Sequence, residues 1–414
     1  MNLFSYLFIA AILSSICLQW WLISRHISHV RSHRDKVPVA FSDKIPIEAH
    51  QKAADYTQAK VKTGMFELVT GSVLLLIWTL GGALQLVDNA WRSLDLPGIW
   101  TGVAFLLSVY AIISILDLPM TAYRTFKLEQ RFGFNKTTLK VFMIDIMKNA
   151  LLVLIIGIPM LALVLWLMEN SGTYWWFYVW LTWMGFSLFM MWAYPAFIAP
   201  LFNKFRPLEN DELRTRIENL LTRNGFVSNG IFVMDGSSRS THGNAYFTGL
   251  GANKRIVFFD TLINELSTDE IEAVLAHELG HFKCNHIVKR ITVLGLVFLT
   301  GLALLGWLIE IPWFYQGLGV EKASPYMALM LFVIAAPAFT FLLQPVFSYI
   351  SRQHEFEADD FAASQAQTHN LITALVNLYR ENANTLTPDP LYSAFHDSHP
   401  PAPIRIAHLS ASTA

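Results

Sequence analysis

The chain has 414 residues, of which 54% are hydrophobic, 14% aromatic and only 15% charged. Soluble domains usually carry about a quarter of charged residues, so the composition excludes an ordinary soluble protein. The formal net charge of -1 says nothing about acidic partners, and we expect no nucleic-acid partner. Two cysteines, Cys17 and Cys284, are too few for a disulfide framework or a cysteine-based zinc site.

Apolar runs of about 20 residues predict a helical integral membrane protein, because a helix of that length crosses the roughly 30 Å hydrocarbon core of a bilayer. The first run has neither a basic leader nor a small-residue cleavage site, so we expect it to remain as a helix. The seven predicted spans cover 3–24, 66–87, 98–118, 150–168, 174–201, 291–311 and 325–350.

Lysine and arginine are distributed unevenly among the loops. Eight follow the first span, between Arg25 and Lys62, and six follow the third, between Arg124 and Lys148. Cytoplasmic loops carry such an excess, so the pattern predicts an outside N-terminus and two cytoplasmic soluble segments. The predicted division is 1–201 for spans 1 to 5, 202–290 for a metalloprotease segment, 291–350 for spans 6 and 7, and 351–414 for the C-terminal segment.

The first soluble segment is predicted to form a small α+β unit. Residues 209–223 have the periodicity of an amphipathic helix, and 231–234 and 255–259 are typical of short strands. Ser267 and Glu270 have the spacing of a capping box, which predicts the start of another helix.

That helix carries His277-Glu278-Leu279-Gly280-His281. Two histidines four residues apart lie on one helix face, where both can reach one tetrahedral zinc ion. Glu278 directly follows one ligand, so its carboxylate is expected to take a proton from a zinc-bound water. The motif therefore predicts a catalytic zinc site.

A catalytic zinc site needs a third protein ligand, and the stretch from Ser351 to Asp359 follows the last span. Glu355 is our choice, because Glu355 and Asp359 share a helix face and Asp359 could then orient a ligand histidine. The alternative is a solvated acidic helix face in which Arg352 pairs with one of these carboxylates.

Together these motifs resemble the membrane zinc metalloproteases known as CaaX prenyl proteases, of peptidase family M48. The resemblance extends over nearly the whole chain and implies an α-helical polytopic membrane protein. Seven transmembrane helices would enclose a chamber, capped by a small α+β zincin-like metalloprotease domain. Further segments that carry the resemblance are Glu129–Lys136, Tyr194–Phe205 and His399-Pro400-Pro401.

The resemblance also implies roles for individual residues. Asn244, Ala245 and Tyr246 match the edge strand against which a peptide substrate lies extended. His399 matches a histidine that stabilises the oxyanion, and Arg405 matches an arginine expected near the substrate. Ile404 departs from the family pattern, which commonly has glutamate there.

We therefore expect one Zn2+ per chain and hydrolysis of a peptide bond, in which zinc polarises the carbonyl, Glu278 delivers the water and His399 holds the oxyanion. The implied partners are a peptide or protein substrate, possibly prenylated at its C-terminus, and membrane lipid; a bacterial relative could instead process membrane proteins. A bacterial inner membrane is preferred over the endoplasmic reticulum. The alternatives are a seven-helix transporter or channel with a structural zinc site, and an inactive scaffold.

Several other polar residues are interpreted as parts of the membrane border rather than of the site. They are the interfacial histidines His26, His29 and His33, the residues Asn285, His286 and Arg290 after the motif helix, and Asp117 and Asp145 near the ends of spans.

Overall fold

The computed structural model describes residues 1–248 and 253–411. Within these ranges seven helices are long and apolar enough to cross a membrane, which confirms the predicted architecture. Each predicted apolar run overlaps one of these helices. The seven spanning helices, in chain order, are Leu3–Ser32, Ile47–Trp78, Gly98–Phe132, Leu139–Asn170, Gly172–Phe202, His286–Leu308 and Pro325–Gln365.

The second spanning helix ends earlier than the apolar run 66–87 predicts. It stops at Trp78, and a separate short helix, Ala83–Arg92, follows after a turn. Gly82 in this turn has φ of 78°, a conformation that costs little only for glycine. Asp88 of the short helix accepts a hydrogen bond of 2.7 Å from the Tyr326 hydroxyl, which joins it to the seventh spanning helix.

The second, third and seventh spanning helices enclose a cavity of about 1360 Å³. Its wall mixes apolar side chains with charged ones. Charged groups in membrane-spanning segments usually face a bundle interior or a water-filled space, so this cavity has the mixed lining expected of the predicted chamber. The charged lining residues are Asp55, Lys62, Glu67, Asp117, Lys127 and Arg131.

A sheet of four strands forms the β part of the soluble unit. The strands are β1 (Phe205–Pro207), β2 (Val227–Met234), β3 (Ala245–Thr248) and β4 (Asn253–Phe259). Their order is β1-β2-β4-β3, with β2 and β4 parallel and the outer pairs antiparallel. The two predicted strands lie within β2 and β4, and β3 is at an edge of the sheet.

Five helices pack with this sheet: α1 (Asp211–Arg223), α2 (Thr268–Lys283), α3 (Gln344–Gln365, the end of the seventh spanning helix), α4 (Thr368–Glu381) and α5 (Ala402–Ala411). They share one apolar core, which includes Ile217, Phe258, Leu275, Leu279, Ala362, Leu371 and Leu409. The predicted helix 209–223 corresponds to α1. Shorter helices are Asp260–Glu265, Pro312–Gly317 and Pro390–His396.

The basic loops lie at the same end of the helical bundle as both soluble segments. Arg25 makes an ion pair of 3.0 Å with Asp389, and the Lys136 amide donates to the carbonyl oxygen of Arg239 over 3.0 Å. Arg239 in turn makes a two-pronged ion pair with Asp145, which therefore has a structural partner at the border of the fourth span. These contacts hold loops and soluble segments together as one unit.

Candidate metal centre

The helix that carries the histidine motif begins as the sequence predicts. The Glu270 amide donates to Ser267 Oγ over 3.4 Å and the Ser267 amide donates to Glu270 Oε2 over 2.8 Å, so the predicted capping box is present. Glu270 also accepts a hydrogen bond of 2.7 Å from Asn377 of α4. The first turn of α2 is therefore tied both to its own cap and to the neighbouring helix.

Three potential ligand atoms converge between α2 and α3. Glu355 Oε2 lies 3.5 Å from His277 Nε2, and Glu355 Oε1 lies 3.4 Å from His281 Nε2. Tetrahedral zinc with bonds of about 2.0–2.1 Å separates its ligand atoms by roughly 3.3–3.4 Å. The two Nε2 atoms and the carboxylate thus have the chemistry and the spacing of a zinc site, and all three ligand atoms lie within 4.8 Å of one another.

Glu355 has an unsatisfied oxygen that such an ion would satisfy. The residue is buried, with 3% of its surface exposed. His399 Nδ1 is 2.8 Å away from Oε2, yet among the described residues Oε2 has no hydrogen-bond partner of good geometry. A buried carboxylate oxygen without a partner is costly, so this geometry favours a bound cation.

Gly280 allows the two ligand-bearing helices to come this close. A Cβ atom at this position would lie 3.0 Å from the Cα atom of Ala358 and 3.1 Å from its carbonyl oxygen. Backbone atoms of a packed helix cannot give way cheaply. The glycine of the motif therefore sets the separation at which His277 and His281 meet Glu355.

Asp359, one turn after Glu355, contacts the outer nitrogen of one histidine. Its Oδ1 lies 2.8 Å from His277 Nδ1, and the residue is fully buried. A carboxylate in this position holds the proton on Nδ1 and leaves Nε2 free to face the metal. The structure therefore places Asp359 beside His277, where it could orient this histidine as proposed from the sequence.

Arg405, which the resemblance implies lies near the substrate, contacts the carboxylates of the candidate metal centre. Its buried guanidinium donates two hydrogen bonds to Asp359, from Nε over 2.8 Å and from Nη2 over 2.5 Å. Its Nη1 is 3.6 Å from Glu355 Oε2. Because both oxygens of Asp359 are engaged, this geometry favours a role in holding Asp359 rather than in binding substrate.

The edge strand lies beside the motif helix. Ala245 and Tyr246 pair with Phe258 and Val257 of β4, and among the described residues β3 has no strand on its other side. The ring of Phe247 contacts the ring of Phe282, which directly follows the second motif histidine, with centroids 5.8 Å apart and planes tilted by 54°. Asn244 precedes the strand and is exposed. An extended peptide added to this edge would therefore lie next to the metal centre.

The remaining predicted residues lie at the opening of the site. Glu278 is partly exposed, and among the described residues no side chain makes a hydrogen bond or ion pair with it. His399 precedes α5, and its side chain is 65% exposed while contacting Glu355. Both side chains are thus available to a substrate.

The interpretation of His286 as a membrane-border residue omitted a contact with the site. Its Nδ1 lies 2.9 Å from His281 Nδ1, and its Nε2 lies 2.9 Å from Glu357 Oε2. In a continuous helix a residue five positions after His281 would point away from it. Asn285 instead has φ of 58°, which ends α2 and turns His286 back. Asparagine tolerates this left-handed conformation, so Asn285 was the signal available in the sequence.

Comparisons with known proteins show which proteins this chain is similar to. Residues 26–204 match the family described as "CAAX prenyl protease N-terminal, five membrane helices", and residues 207–413 match peptidase family M48. CAAX prenyl protease 1 of Saccharomyces cerevisiae is 36% identical over 400 residues, covering 90% of this chain and 88% of the yeast protein. Its homologue in Oryza sativa is 38% identical over 338 residues, covering 81% and 79%. The crystal structure of S. mikatae Ste24p has a TM-score of 0.91, 34% identity and 99% coverage of both chains.

Proposed function

The chain belongs to the CAAX prenyl proteases of peptidase family M48, and on that premise we propose that it is a zinc endopeptidase that removes a short C-terminal peptide from prenylated proteins. It is a multi-pass membrane metalloprotease that acts on protein or peptide substrates. The transporter or channel alternative is therefore wrong, since the family match extends through the soluble segments as well as the membrane helices.

The convergence of His277, His281 and Glu355 carries the proposal. Two neutral imidazole nitrogens and one carboxylate form a ligand set that suits zinc and leaves a fourth position for the reaction. When bound, zinc would act as a Lewis acid toward the scissile carbonyl and would lower the pKa of a water molecule.

The other side chains would move protons and hold the substrate. Glu278 would take the proton of the attacking water and give it to the leaving amine. His399, exposed at the opening, would donate a hydrogen bond to the oxyanion. The backbone of Ala245 and Tyr246, with the Asn244 side chain, would hold the peptide extended along β3.

A prenylated substrate should be preferred over an unmodified one. We expect kcat/KM for a farnesylated CaaX peptide to exceed that for the same peptide with a free cysteine by about tenfold or more. Burying only about 60 Å² of the prenyl chain at roughly 25 cal/mol per Å² contributes about 1.5 kcal/mol, and about 1.4 kcal/mol is a factor of ten. The measurement is hydrolysis of both peptides by zinc-loaded, detergent-purified protein.

Equal rates on the two peptides would reject the prenyl preference and favour the alternative substrate class, membrane proteins or peptides that carry no lipid. Failure to cut either peptide, with zinc bound, would count against the endopeptidase itself. The Glu278→Gln variant, run beside the wild type, shows how much of any cleavage comes from a contaminating protease.

We also propose that both soluble segments are cytoplasmic and the N-terminus is outside, in a bacterial inner membrane or, as the alternative, in the endoplasmic reticulum. The support is the lysine and arginine excess in the loops at this end of the bundle. In vesicles sealed with their cytoplasmic side outward, an impermeant maleimide should label Ser364→Cys at once but Ser93→Cys only after detergent. Both positions are exposed, and the native cysteines are replaced by serine. The reverse pattern would overturn this orientation.

A further inference from the structure

A chain of three side chains connects the second motif histidine to the end of the seventh spanning helix. His281 Nδ1 lies 2.9 Å from His286 Nδ1, and His286 Nε2 lies 2.9 Å from Glu357 Oε2. The three residues come from α2, from the start of the sixth spanning helix and from α3. This contact lies beside the metal centre and is separate from the Asp359 and Arg405 pair.

Only one placement of the ring protons of His281 and His286 satisfies all of these contacts. His281 Nε2 faces Glu355, so as a ligand it carries no proton and His281 Nδ1 must carry one. His281 Nδ1 therefore donates to His286 Nδ1, which is the acceptor in the opposite tautomer. The remaining proton of His286 is on Nε2 and is donated to Glu357.

His286, the middle residue of the three, has a fixed position. His286 is buried, with 4% of its surface exposed, and its ring stacks on His354 with centroids 4.1 Å apart and planes 11° from parallel. The left-handed backbone conformation of Asn285 fixes the position of the His286 backbone. Glu357 is half-exposed and lies 3.7 Å from Lys289, so its carboxylate has a second, solvated partner.

We infer that His286 and Glu357 are positioning residues that hold His281 in the tautomer and orientation required of a ligand. This inference rests on the proposed zinc site. It gives each ligand histidine its own carboxylate, Asp359 directly for His277 and Glu357 through His286 for His281. Groups that orient a ligand in this way typically contribute 10–100-fold to metal affinity.

A competing arrangement uses the same atoms. Cys284, His286 and Glu357 each offer one ligand atom within 4.8 Å of the others, which could suit a second metal ion. Binding there would require His286 Nε2 to give up its proton and its contact with Glu357. Because every nitrogen of His286 is already used, the positioning role accounts for the geometry without an additional ion.

The test compares His286→Leu with His286→Asn. Asparagine places Oδ1 at the same number of bonds from the backbone as Nδ1 of histidine, so it can still accept the proton of His281, whereas leucine cannot. We expect His286→Leu to lower zinc affinity 10–100-fold in competition with a chelator and His286→Asn to restore most of it. The absorption spectrum of the cobalt-substituted protein should shift in the leucine variant and return toward wild type in the asparagine variant.

Glu357→Gln, which still offers an acceptor to His286, should bind zinc more tightly than Glu357→Leu. Lys289→Leu is the control, since Lys289 contacts Glu357 but neither histidine. Unchanged zinc affinity in His286→Leu would overturn the inference, as would an asparagine variant as weak as the leucine variant. Two zinc ions per wild-type chain and one in Cys284→Ser would establish the competing site instead.

These outcomes are distinct from a failure of the proposed function. Absence of zinc from the wild-type chain would reject the zinc site and this inference together. Zinc affinities that follow the expected order in a chain that cuts no peptide would support the positioning role and reject only the endopeptidase proposal.

Discussion

Replacing Glu278 with glutamine is expected to lower the rate of peptide hydrolysis by about 10²–10⁴-fold, the usual contribution of a general acid–base, while zinc stays bound. Glutamine has the shape of glutamate but cannot take up a proton from water. The proposed metal ligands His277, His281 and Glu355 do not include Glu278, and its side chain is partly exposed. The measurements are the rate of peptide hydrolysis and the zinc content of the same purified sample.

Glu272→Gln is the matched control for this experiment. Glu272 lies on the same helix and pairs with Arg216 and Arg223 on the surface. Surface ion pairs contribute little to stability, so this variant should hydrolyse peptide at nearly the wild-type rate. A zinc-loaded Glu278→Gln variant with wild-type activity would show that Glu278 is not the base. Loss of zinc from that variant would show that the carboxylate helps to hold the ion.

Replacing Arg405 with leucine is expected to lower the free energy of unfolding by roughly 3–5 kcal/mol, because it leaves the carboxylate of Asp359 buried without its cation. Asp359 has no exposed surface. Burial alone would lower the pKa of Arg405, but Asp359 and Glu355 raise it overall, so the guanidinium stays charged. Unfolding should be measured on zinc-free protein in detergent, because bound metal adds its own stabilisation.

Two further variants test whether loss of the ion pair with Asp359 causes the lower stability of Arg405→Leu. Arg405→Lys keeps the charge but loses the two-pronged geometry, so it should recover only part of the stability. Arg380→Leu removes an arginine that pairs with Glu381 at the surface, where each side chain is 37% exposed, and should cost about 0–1 kcal/mol. If Arg405→Leu unfolds no more easily than Arg380→Leu, the buried pair with Asp359 does not stabilise the fold.

At Gly280, the geometry of the candidate metal centre depends both on the local sequence of one helix and on packing against a distant segment. The motif helix, its capping box and the four-residue spacing of His277 and His281 are all readable from neighbouring residues, because helix geometry repeats every 3.6 residues. The approach of α3 to within 3.0 Å of where a Cβ atom of residue 280 would lie depends on packing between segments nearly eighty residues apart. Sequence spacing alone therefore predicts the ligands but not their mutual distances.

The sequence by itself determined the seven spans, the small α+β unit and the order of the candidate ligands. Apolar runs must match the bilayer thickness, and side chains on one helix face must recur at fixed intervals. The tertiary structure decided the partners of Arg405, which pairs with Asp359, and of His286, which turns back to His281 through the left-handed Asn285. Such partners depend on where separate elements meet and on single backbone angles, and neither has a periodic signature in the chain.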